Sequence, residues 1–233
     1  VFGLFGPKSR DLIKTLSKDD FDNDNFKFGT AKYITIEGIK IWAQRLSYVG
    51  ELGYELYVDF KDAKKIYELI INKGKDFNLS NCGMHAMDIM RMESGFLHWG
   101  HDISPEENQY QAGLSFTISN KKEVDFIGKT ALAKIQKEKV KNRFAMFTLK
   151  NSKPGEPLLL HDEPIYLEDK IIGRSTSGNY SFNFKKSLTF GYINNDFSNE
   201  EFKNKNLFIE VEKKKYAISL QSKALKQTDF KNL

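Results

Sequence analysis

Between residues 144 and 220 the chain presents one short strand-forming run after another, and no segment among them repeats apolar residues at helical spacing. The runs cover 144–149, 164–167, 170–175, 187–193, 207–212 and 216–220, with turn-forming residues between them. A run of this length cannot bury an apolar face or satisfy its strand edges alone. Consecutive runs of this kind are stable when they close on one another as a small all-β barrel or sandwich. The texture changes near Lys141, which sets the expected domain boundary there.

The residues before that boundary read differently. Gly6-Pro7-Lys8 forms a turn, Ser9 is the expected N-cap, and Leu12, Ile13 and Leu16 give a helical stripe. Residues 19–25 are polar and loop-like. Strand formers at 33–36 and 39–46 flank the turn signal Glu37-Gly38 and predict a β-hairpin. Gly50 and Gly53 flank a tight loop, after which 54–58 alternates as a strand. Asp62 opens a helix carrying Ala63, Ile66, Tyr67, Leu69 and Ile70, and 84–92 reads as a second, ending before Gly95. A polar connection over 102–111, a short strand at 114–118 and a helix at 130–137 complete this part. The whole predicts a mixed sheet covered by helices, in an α+β arrangement.

Composition narrows the function. Lys plus Arg is 36 against 31 for Asp plus Glu, a net charge of +5, with both signs interspersed. The Lys-rich runs 137–141 and 213–215 read as solvated faces. No basic cluster is interleaved with aromatics, so nucleic acid is not an expected partner. No apolar run reaches about 18 residues, so no membrane span is expected. The N-terminus lacks the marks of a signal peptide and an initiating Met, which suggests a start inside a longer polypeptide. Cys82 is the single cysteine, which precludes an intrachain disulfide and fits a reducing compartment. It is expected to be a buried structural thiol.

Several ordered blocks carry a resemblance. Arg45-Leu46-Ser47-Tyr48-Val49-Gly50-Glu51-Leu52-Gly53-Tyr54-Glu55 is followed by Met87-Asp88-Ile89-Met90-Arg91-Met92-Glu93. Trp99-Gly100-His101-Asp102-Ile103, Gln111-Ala112-Gly113-Leu114 and Asp125-Phe126-Ile127-Gly128-Lys129 come next. Thr176-Ser177-Gly178 and Thr189-Phe190-Gly191-Tyr192 complete the series. Together they resemble the glycine-cleavage T-protein (aminomethyltransferase) superfamily across most of the chain, and most of all the folate-binding C-terminal part of dimethylglycine and sarcosine dehydrogenases. The resemblance implies an aminomethyltransferase-type α+β folate-binding domain over 1–141, N-terminally incomplete, and a T-protein-type β-barrel domain over 142–233.

It also implies chemistry. Tetrahydrofolate is the implied cofactor, holding a one-carbon unit from dimethylglycine or sarcosine as 5,10-methylene-tetrahydrofolate. No glycine-rich dinucleotide fingerprint opens a βαβ unit, so FAD enters only with an upstream dehydrogenase domain or partner chain. A non-catalytic folate-binding or scaffold fragment and the glycine cleavage aminomethyltransferase itself remain open as alternatives. The implied compartment is the cytoplasm or the mitochondrial matrix.

Glu55 matches the family position that grips the pterin, where a carboxylate accepts two hydrogen bonds from the ring edge. The alternative is a surface glutamate on an edge strand. Tyr48 matches an aromatic position near the folate, or is a core tyrosine with a satisfied hydroxyl. Trp99 packs near the folate cleft or fills the core. Glu51 reads as structural, with Arg45 or Arg91 as partner, and Asp88 with Arg91 as a surface ion pair on one helix face. His85, His98, His101 and Asp102 invite a metal reading, but their spacing does not build a converging ligand set and no metal is expected. Met87 stands where an arginine commonly holds the folate in the stand-alone T-protein. The family's catalytic aspartate lies upstream of the block that opens this chain, so no catalytic residue is assigned, and these residues alone are expected to turn over little substrate.

Overall fold

A computed structural model of the chain describes residues 1–119, 123–138, 140–227 and 229–232. They gather into two compact units, Val1–Ser94 with the C-terminal segment from Lys226, and Gly95–Leu225.

The first unit contains β1 (Phe2–Phe5), α1 (Ser9–Leu16), β2 (Ala31–Ile36), β3 (Ile39–Gln44), β4 (Gly53–Tyr57), α2 (Phe60–Gly74) and α3 (Met84–Glu93). The sheet order is β1-β4-β3-β2. Every pairing is antiparallel, which corrects the expected mixed sheet. The hairpin at Glu37-Gly38 forms as read, with both residues at positive φ, the geometry that matches strand twist across a two-residue loop.

Strand alternation divides this sheet into two faces. Leu4, Ile34, Ile36, Ile41, Ala43, Tyr54 and Leu56 point inward and are buried with Leu12 and Ile13 of α1 and Ile66 and Ile70 of α2. Each such side chain contributes about 1.5–3 kcal/mol when fully buried. The other face carries Gly3 and Phe5, Tyr33, Trp42 and Gln44, and Gly53, Glu55 and Tyr57, at the complementary positions of the four strands.

Two helix starts differ from expectation. Lys8, not Ser9, occupies the cap position of α1, and the buried Ser9 hydroxyl donates to the Leu52 carbonyl at 3.2 Å. Helix α2 begins at Phe60 after Asp59, ahead of Asp62. Cys82 is exposed, with its thiol 3.8 Å from the Ser80 carbonyl, so it is not the buried thiol expected.

The second unit is built on a closed barrel of β5 (Asn142–Leu149), β6 (Pro164–Leu167), β7 (Lys170–Ser181), β8 (Lys186–Asn194), β9 (Leu207–Val211) and β10 (Lys214–Gln221). Their order is β10-β5-β8-β7-β6-β9, antiparallel throughout, so closure leaves no open edge among them. Phe147, Leu149, Ile165, Leu167, Ile193, Leu207, Ile209 and Ile218 fill its core. Helix α4 (Lys129–Lys137) precedes the barrel.

Three details depart from the sequence reading. Residues 115–117 form a single 3₁₀ turn rather than a strand, closed by Thr117 N–H to Leu114 O and Ile118 N–H to Ser115 O. Strand β7 continues six residues beyond Ser175, across a register shift between Ser175 and Ser177. One short helix, α5 (Asn199–Asn204), interrupts the strand series, started by a capping box between Ser198 and Glu201.

Candidate functional site

Glu55 occupies the middle of β4, a strand with a neighbour on each side, so it is not the edge-strand glutamate of the alternative reading. Its direct partners across the sheet are Gly3 on β1 and Gln44 on β3. The Phe5 ring covers the space that a side chain at Gly3 would take, 2.5 Å from where its Cβ would stand. Oε2 accepts a hydrogen bond from the Tyr57 hydroxyl at 2.8 Å, while Oε1 has no partner among the described residues. That bond, followed by burial, holds the Tyr57 phenol above its ordinary range, so Tyr57 stays a neutral donor.

The rest of this face is aromatic. Tyr57 stands opposite Trp42, and Trp42 opposite Tyr33, with the Trp42 and Tyr33 rings edge to face at a centroid distance of 4.9 Å. The Lys40 ammonium lies 4.2 Å from the centre of the Tyr33 ring. A carboxylate with a free oxygen thus adjoins a row of aromatic side chains, one of which donates to it. This row was not singled out from the sequence. Its signal was there in the period-2 spacing of Tyr33 and Thr35, Lys40 and Trp42, and Glu55 and Tyr57, once a register is assigned.

The loop ahead of β4 is tightly built. Gly50 has φ +67°, and a Cβ there would lie 2.1 Å from Ser94 Oγ. A Cβ on Gly53 would lie 2.0 Å from the Phe5 ring, so the aromatic ring of β1 packs directly on β4 backbone. Both glycines are therefore needed for close approach. Glu51 N–H donates to Ser47 Oγ at 3.0 Å, and the Glu51 carboxylate pairs with the Lys226 ammonium. The expected arginine partner for Glu51 is thus replaced by a lysine of the returning C-terminal segment, whose amide also bonds the Glu93 carbonyl at 2.8 Å. Arg45 is instead buried and donates to the carbonyls of Phe26 at 2.7 Å and Lys231 at 3.1 Å. Tyr48 sits half-buried in this loop, in the same unit as Glu55.

On α3, Asp88 and Arg91 form the expected pair, at 2.8 and 2.9 Å, but it is not a surface pair. Arg91 is 1% exposed while Asp88 reaches solvent.

Trp99 belongs to the second unit and is 65% exposed, which excludes the core-filling reading. His85 lies on α3 of the first unit, while His98 and His101 stack at 4.6 Å between ring centres in the second. No group of three or more His, Cys, Asp or Glu among the described residues is placed to hold a metal ion. Asp102 has a different task from the one its histidine neighbours suggested. It is 1% exposed, accepts from the Thr176 and Ser177 hydroxyls at 2.5 and 2.8 Å, and from the His98 N–H at 2.9 Å. Its own carbonyl accepts from the Tyr192 hydroxyl at 2.8 Å. Asp102 therefore fastens the 98–103 loop to β7 and β8.

Two family models match. The GCVT N-terminal domain matches residues 1–122, and the glycine cleavage T-protein C-terminal barrel domain matches residues 142–225. The chain belongs to the glycine cleavage T-protein family. Human mitochondrial dimethylglycine dehydrogenase is 36% identical over 193 residues, which are 83% of this chain and 22% of that protein. The aminomethyltransferase of Halothermothrix orenii is 32% identical over 84% of this chain and 53% of its own length. The chain thus spans about a fifth of the dehydrogenase and about half of the transferase. The crystal structure of the glycine cleavage system aminomethyltransferase T from Bartonella henselae superposes with a TM-score of 0.77 at 20% identity, over 93% of this chain and 56% of that one, and so shares the fold. The six-stranded barrel and the helix-covered sheet are the T-protein architecture that the sequence blocks implied. No helix among the described residues is long and apolar enough to cross a membrane.

Proposed function

We propose that this chain is the tetrahydrofolate-binding part of an aminomethyltransferase-like enzyme that captures a one-carbon unit from dimethylglycine or sarcosine as 5,10-methylene-tetrahydrofolate. The observation that carries the reading is Glu55: a carboxylate on an interior strand, with one oxygen held by Tyr57 and the other without a partner among the described residues. That arrangement fits the donor edge of a pterin, which offers a ring N–H and an amino group to a single carboxylate. Tyr48, in the same unit as Glu55, is the further folate contact of this reading, which also keeps the expected domain boundary near Lys141.

The folate supplies the nucleophilic amine that receives the one-carbon unit. The chain's own residues bind and orient it: Glu55 fixes the ring, Tyr57 fixes Glu55, and the Glu51–Lys226 pair fixes the loop leading into β4. The electrophile is an iminium of the methylated glycine, and FAD belongs to an upstream domain or partner chain that makes it. The similarity to a mitochondrial dehydrogenase favours a mitochondrial or cytoplasmic setting. A second reading, the glycine cleavage aminomethyltransferase itself, draws on the names of both matching family models.

Calorimetry with a reduced folate on the wild type and on Glu55→Gln tests the assignment. Replacing the charged acceptor while keeping its shape is expected to cost about 1.5–3 kcal/mol of binding. Equal affinities would remove Glu55 from the site.

A further inference from the structure

Along β5 and β10 a cavity of about 690 Å³ opens beside Arg143, Lys150, Phe202, Lys205, Leu220 and Gln221. Among the described residues that line it, three are cationic and none is acidic. Lys205 has a carboxylate, Glu201, at 3.5 Å. Among the described residues Arg143 has none, and its Nε and Nη2 are buried without a hydrogen-bond partner there. The guanidinium lies 5.2 Å from the centre of the Phe202 ring, which α5 turns into the barrel.

This combination is costly to the fold. A guanidinium that gives up water without gaining an acceptor is destabilised at each orphaned donor. Ring contact returns only part of that. The two orphaned nitrogens share one edge of the guanidinium, the edge that a single carboxylate spans with two parallel hydrogen bonds. Apolar walls from Ala145, Leu207 and Ile218 line the rest of the space. Inorganic anions would use the charge but leave those walls unfilled.

We propose that this barrel cavity is a binding site for a small organic carboxylate with an apolar body, anchored by Arg143 and drawn in by Lys150 and Lys205. Binding requires the buried Arg143 fork to rotate toward the cavity that the residue lines, where the ligand supplies the acceptors that the fold withholds. The site lies wholly in the barrel unit and does not depend on Glu55 or on folate.

The test is an NMR titration of the full chain with benzoate, benzamide and inorganic phosphate, followed at the Arg143 side-chain Nε–H and the amides of β5 and β10. Benzoate is expected to saturate and to shift these signals, and to bind at least about tenfold more tightly than benzamide or phosphate, a factor set by the charge-assisted pair. Arg143→Met should abolish the preference for benzoate over benzamide without lowering the melting temperature of the free protein, because it removes two unsatisfied donors. Lys150→Gln, at an exposed position, should weaken benzoate a few-fold and leave folding intact. Equal binding of benzoate and benzamide, phosphate binding as tightly as benzoate, or shifts that bypass Arg143 would each overturn the proposal.

Discussion

Replacing Asp102 with alanine puts the heaviest single load on the second unit. The side chain is 1% exposed, and three donors converge on it: the Thr176 hydroxyl, the Ser177 hydroxyl and the His98 N–H. Hydrogen bonds to a charged acceptor contribute about 1.5–3 kcal/mol each. The three share one carboxylate and do not add, and the buried charge itself has a desolvation cost that its loss relieves. After Asp102→Ala the two hydroxyls can rotate to other acceptors, but the His98 amide cannot. The net loss is expected to be about 3 kcal/mol. Asp102→Asn keeps the oxygen that receives the hydroxyls but aims an N–H at the His98 N–H, and should cost about 1–2 kcal/mol. The chain has two tryptophans, Trp42 in the first unit and Trp99 inside the loop that Asp102 holds. In a Trp42→Phe background, urea unfolding followed by fluorescence therefore reports this loop and its barrel. A stability for Asp102→Ala within about 0.5 kcal/mol of the parent, the range of ordinary surface changes, would refute the reasoning.

Other changes should act on separate features. Gly50→Ala forces a left-handed backbone onto an L side chain and drives Cβ into Ser94, so it should cost the first unit about 1–3 kcal/mol, read by Trp42 fluorescence during unfolding in a Trp99→Phe background. Burial first, then the charges of Glu107 and Asp102, push the Tyr192 phenol above its ordinary range. Its stabilising effect is full below the unfolded tyrosine value of about 10 and is lost as pH rises beyond it, because the unfolded chain then releases a proton that the folded chain keeps. Stability measured between about pH 9 and 11 should therefore fall, and fall less in Tyr192→Phe.

What the sequence disclosed follows from how local each signal is. The Glu37-Gly38 hairpin was legible because turn residues and flanking strand formers lie side by side, and the barrel because six strand runs recur with turns between them. Helix α5 went unread although its capping box stands in four consecutive residues, since a six-residue helix carries too little periodicity to notice. The run at 114–118 misled because a short apolar stretch fits a strand or a turn equally, and here local hydrogen bonds closed the turn. Glu55 and Tyr48 were singled out only through the blocks that carry the family resemblance. The aromatic row beside Glu55 needed the strand register, and the burial of Asp102 depends on hydroxyls 74 and 75 residues away. Glu51 was paired with the wrong cation for the same reason, because Lys226 lies 175 residues along the chain.

The central claim, that the sheet face around Glu55 receives a folate, is tested most directly by titrating the full chain with tetrahydrofolate under oxygen-free, reducing conditions while following assigned backbone and side-chain NMR signals. Saturable one-site binding, with the largest shifts at Glu55, Tyr57 and the loop around Tyr48, is the predicted result. No saturable binding, or shifts confined to the barrel unit, would contradict it.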